Sequence, residues 1–64
     1  MTNAERAQRA EAALAAYQGR DAGDTLADNI VDLVTDLMHL AHHNGIMPFA
    51  AVQRAADHFE EEIQ

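Results

Sequence analysis

Five side chains in the middle of this sequence have the types and spacing that could do chemistry: Asp28, Asp32, Asp36, His39 and His43. At about 100° per residue on a helix they fall within one arc. Asp28/Asp32, Asp32/Asp36 and His39/His43 are i,i+4 pairs and Asp36/His39 is an i,i+3 pair, so each is a surface neighbour of the next. Imidazole and carboxylate together suit first-row metals, and Asp36, His39 and His43 are the set that would hold one. That chemistry would also need a further ligand from another helix and partners that orient the imidazole rings. The same order of residues has a simpler origin. Aspartates early and histidines late in a helix complement its dipole. The primary expectation is therefore a solvated acidic face, with no metal and no cofactor.

Other catalytic chemistry has little to draw on. The chain has no cysteine, lysine or serine. Thiol nucleophiles, thiolate zinc sites, disulfides and Schiff-base lysines are thereby excluded. No glycine-rich phosphate loop is present. Exposed carboxylates lack the environment that tunes an acid–base pair. No catalytic residue is expected.

Charge narrows the partners. Eleven acidic residues stand against four arginines, for a formal charge of −7. Residues 1–20 carry +1, residues 21–44 carry −5 and residues 45–64 carry −3. Nucleic-acid backbones and anionic membranes are held mainly by Lys and Arg, so neither is an expected partner. An acidic surface steers basic proteins toward it, and it also keeps a small associating protein in solution.

Three helices are expected to position these residues, making an all-α fold in a single small domain, residues 1–64. The first spans about 3–18. Thr2 and Glu5 have capping-box spacing, Asn3 is a competing cap, and Gly19 is a natural stop. Its stripe of Ala7, Ala10, Leu14 and Tyr17 is thin. Residues 19–24 read as a connection. The second helix spans about 25–44, starting after Asp24 or Thr25 and stopping at Gly45. One apolar stripe is Leu26, Ile30, Leu33, Leu37 and Leu40; a second is Ala27, Val31, Val34, Met38 and Ala41. Together they cover about half the helix circumference, where an ordinary surface helix needs a stripe of only about 100°.

The third helix spans about 48–62, with Pro48 at its first position and Met47 as a poor cap. Phe49, Val52, Ala56, Phe59 and Ile63 repeat at 3, 4, 3, 4 spacing, the narrow seam of antiparallel or coiled-coil packing. The short turn predicts that helices two and three form an antiparallel αα-hairpin. A chain of 64 residues has little core of its own, and oligomerisation is a usual remedy at this size. A homo-oligomeric helical bundle is expected, a dimer being the simplest. Its interface would use Leu26, Ile30, Leu33, Val34, Leu37, Met38, Leu40, Phe49, Val52 and Phe59.

Residues 28–59 also resemble the helical hairpin of MazG-type all-α nucleoside-triphosphate pyrophosphatases. In that family a helix with an E-x-x-D pair runs into an apolar stretch, a Leu-Ala, a Gly-Ile turn and another amphipathic helix. Leu40-Ala41 and Gly45-Ile46 match this punctuation. The resemblance implies helical, oligomeric packing and metal-dependent nucleotide pyrophosphohydrolysis. The metal-binding acids are incomplete: Asp32 stands in the Asp position, Asn29 stands where the Glu would be, and the upstream E-x-x-E pair is missing.

The expected function is that of a small, acidic, non-enzymatic interaction module. It would self-associate and bind or mask a basic protein surface through Asp28, Asp32 and Asp36. Inhibitors from phages and mobile elements, nucleic-acid mimics among them, are similar in size and charge by analogy. A degenerate MazG-type hydrolase and a structural assembly subunit are the alternatives. Residues 1–18 contain no leader-like apolar core, and no apolar run approaches the ~20 residues of a membrane span. A cytoplasmic location is expected.

Overall fold

The computed structural model describes residues 2–18 and 25–64. It has three helices, α1 (Asn3–Gln18), α2 (Leu26–His43) and α3 (Pro48–Ile63), and no strand among the described residues. The fold is all-α, and α2 and α3 pack against each other as an antiparallel hairpin. The expected stop at Gly19, the connection over residues 19–24 and a cap at Asp24 lie outside the described residues.

The starts of α1 and α2 are set by residues that satisfy the free N–H groups of a first helical turn. At α1 the Glu5 amide donates to Thr2 Oγ1 at 3.1 Å. Glu5 Oε1 accepts from the Thr2 amide at 3.3 Å and from its hydroxyl at 3.0 Å. This is the reciprocal capping box, so Thr2, not Asn3, is the cap. At α2 the Asp28 amide donates to Thr25 Oγ1 at 3.1 Å. Thr25 is therefore the cap, and Leu26 is the first helical residue. Asp28 sits in the first turn of α2, where a carboxylate meets the positive end of the helix dipole. At α3 no side chain caps the helix; Met47 holds extended geometry at φ −73°, ψ 111° and Pro48 follows. Proline helps here because its fixed φ suits the first helical position.

The end of α2 is built by backbone geometry. The Ile46 amide donates to the Ala41 carbonyl at 2.9 Å and the Gly45 amide to the His42 carbonyl at 3.2 Å. Those two bonds define a Schellman motif, which needs a left-handed residue. Gly45 supplies it at φ +73°. The Asn44 side-chain amide donates to the Leu40 carbonyl at 2.8 Å, so a further last-turn acceptor is satisfied. Within α3, the Gln53 side-chain amide donates to Asp57 Oδ1 at 3.0 Å across one helical turn.

Contacts cluster into two units, Met1–Val34 and Thr35–Gln64. In the first, α1 lies against the beginning of α2. Leu14, 8 % exposed, is the one buried side chain among the described residues. Asn29 and Leu33, one helical turn apart on α2, are half-buried. In the second unit Met38 and Ala41 are half-buried while Leu37 and Leu40 are 53 % and 61 % exposed. The stripe through Met38 and Ala41 thus faces α3, and the stripe through Leu37 and Leu40 stays open.

A Cβ added at Gly45 would meet no atom within 4 Å, so any penalty for a side chain there comes from the backbone angle alone. Gly45→Ala is expected to destabilise the chain by ~1 kcal/mol, and Gly45→Asn by less, since asparagine tolerates left-handed geometry. Urea unfolding followed by circular dichroism checks this; equal midpoints for all three chains would contradict a left-handed stop at Gly45.

Candidate functional site

Asp28, Asp32, Asp36, His39 and His43 all lie on α2, and every one of them is exposed. Their spacing on a regular helix gives the continuous polar arc expected of it. One edge of the arc is bordered by α1: the Tyr17 hydroxyl donates to the Asp32 backbone carbonyl at a long 3.4 Å. Among the described residues no group of three His, Asp or Glu side chains stands close enough to hold a metal ion, and Asp36, His39 and His43 are not gathered into one. With the carboxylates in water, the arc acts as a surface of charge more than as a pocket for a small ligand.

Asn29 is a feature that polar patterning does not flag. It is half-buried beside Leu33, and its Oδ1 is shielded from solvent with no hydrogen-bond donor. The sequence shows only one more polar residue beside Asp28, and the shielding of its side chain is a tertiary fact. A shielded carbonyl oxygen without a donor carries its desolvation cost uncompensated. Asn29 is also the residue standing where the MazG-type pattern has a glutamate.

The apolar faces complete the picture. Of the ten residues expected at an oligomer interface, Leu33 and Met38 are half-buried within the chain and the other eight are exposed. Neither α2 nor α3 contains a buried residue. Two open depressions adjoin where the hairpin turns. One, of about 270 Å³, is lined by Thr35, Met38, His39, His42, Pro48 and Phe49. The other, of about 320 Å³, lies along the turn from Gly45 to Phe49 and shares His42, Pro48 and Phe49 with the first. The histidine end of the acidic arc therefore runs into an apolar surface. No helix among the described residues is long and apolar enough to cross a membrane.

No protein-family model, curated protein or solved structure matches this chain. The MazG-type resemblance consequently rests on residues 28–59 alone.

Asn29→Leu, which removes the stranded oxygen and keeps the same branched heavy-atom skeleton, is expected to stabilise the chain by ~1 kcal/mol. A lower thermal midpoint for that variant would contradict an uncompensated oxygen at this position.

Proposed function

We propose that this chain is a small, acidic, non-enzymatic interaction protein. It self-associates through the apolar faces of α2 and α3 and presents Asp28, Asp32 and Asp36 to a basic protein surface. The observation that carries the reading is the exposure of apolar side chains on two amphipathic helices that contain no buried residue. Large exposed apolar surfaces rimmed by polar residues mark interaction sites. A second copy covers such faces without any new sequence.

The acidic arc supports the other half of the reading. Its aspartates are exposed and one helical turn apart, and the surrounding chain is −7. A surface of one sign accelerates encounter with a partner of the opposite sign and discriminates against partners of like sign. Masking the basic, nucleic-acid-binding face of another protein is the role such a surface fits best, which is how a small inhibitor or nucleic-acid mimic would act.

Two variants test the two halves. Leu37→Asp is expected to convert the oligomer to monomer or to unfold it; unchanged mass and helicity would refute packing through this face. Replacing Asp28, Asp32 and Asp36 together with Asn is expected to preserve helicity and to release basic proteins captured from the native host. Capture that persists unchanged, or that ignores added salt, would remove the acidic arc from the mechanism. Magnesium-dependent release of pyrophosphate from nucleotides, lost in Asp32→Ala, would instead assign the chain to MazG-type hydrolysis.

A further inference from the structure

We propose that α3 is the seam of a two-fold dimer, paired antiparallel with α3 of a second copy about Ala56. This rests on the self-association reading above and specifies its geometry. Phe49, Val52, Ala56, Phe59 and Ile63 fall on one face of α3. Most of that face stays open in the single chain: Phe49 is 80 % exposed, Phe59 61 % and Ile63 58 %, while Val52, at 38 %, is the most covered of the four. A heptad-spaced stripe left open at both ends is a packing surface without its other half.

Side-chain size points to the antiparallel arrangement. Ala56 lies seven residues from both Phe49 and Ile63. An antiparallel pair centred there sets Phe49 at the level of the partner's Ile63, Val52 near the partner's Phe59, and alanine against alanine at the middle. Small residues at the centre let the helices approach, and large ones at the ends fill the widening gap. The pattern is self-complementary, as a two-fold interface requires.

Charge points the same way. The first turn of α3 has no acid and its last turn no base. Asp57, Glu60, Glu61 and Glu62 crowd its second half, and Arg54 is its one arginine. Parallel pairing would stack the same acids side by side. Antiparallel pairing sets each acidic end beside the acid-free start of the partner helix, whose free N–H groups carry partial positive charge.

The absence of native cysteine permits a direct test. Phe49→Cys and Ile63→Cys chains are purified separately, mixed and oxidised, and the wild-type mass is measured by sedimentation. The expected result is a dimer of twice the 7.0 kDa chain mass, with the mixed 49–63 disulfide at least about tenfold more abundant than 49–49 or 63–63, because bridging requires Cα atoms within ~7 Å. A dimer that links like positions, or none, would overturn the antiparallel seam and leave self-association standing. A monomeric wild type would overturn both. As a second arm, Ala56→Arg places a large charge at the centre of the seam on a residue exposed in the single chain. It is expected to keep the helical spectrum and weaken dimerisation at least tenfold; undiminished dimerisation would also overturn the proposal.

Discussion

The constraint on which the rest depends is the width of the apolar surface on α2. Two stripes run the length of that helix, and one chain supplies only two other helices to cover them. α1 is rich in alanine, and it brings Leu14 and Tyr17 against the start of α2 while leaving Leu26 and Ile30 largely exposed. α3 meets the side of Met38 and Ala41 and leaves Leu37 and Leu40 open. Hydrophobic burial is the main favourable term in folding, so a chain that leaves this much apolar area in water gains stability wherever that area can be covered.

The helix ends were legible because their causes are local. Thr2 with Glu5, Thr25 with Asp28, Gly45 with Ile46, and Met47 with Pro48 each act over five residues or fewer. The structure narrows ambiguities of one position, choosing Thr2 over Asn3 and Thr25 as the α2 cap. The hairpin was legible for the same reason, since a four-residue link between amphipathic helices leaves them little choice but to pack. Which apolar stripe α3 would cover was not legible. Periodicity finds an apolar face but does not choose between two adjacent stripes. The shielding of Asn29 Oδ1 and the Tyr17–Asp32 contact likewise depend on residues far apart in sequence.

The candidate site shows the same division. Spacing alone places Asp28, Asp32 and Asp36 on one face, and a regular α2 keeps them there. Their chemistry depends on environment, which spacing does not report. Asp28 has a structural use as a first-turn carboxylate, so part of the acidic arc serves the helix that carries it. The histidines lead the arc toward the depressions around His42 and Phe49. Acidic and apolar surfaces thus meet at the turn of the hairpin, and an association there would be felt at the histidine end of the arc.

The Schellman turn at Gly45 has a consequence for the order of events during assembly. Its hydrogen bonds join residues five or fewer apart, and the hairpin it closes is rich in short-range contacts. Chains of low contact order fold in microseconds to milliseconds, whereas the meeting of two proteins at micromolar concentration, with typical association rate constants of ~10⁵–10⁷ M⁻¹s⁻¹, takes on the order of a tenth of a second to ten seconds. Hairpin formation is therefore faster than any encounter at that concentration. For the self-association proposed above, opening and closing of the hairpin would stay at equilibrium between encounters, and the association rate would follow the population of the closed hairpin together with diffusion and charge.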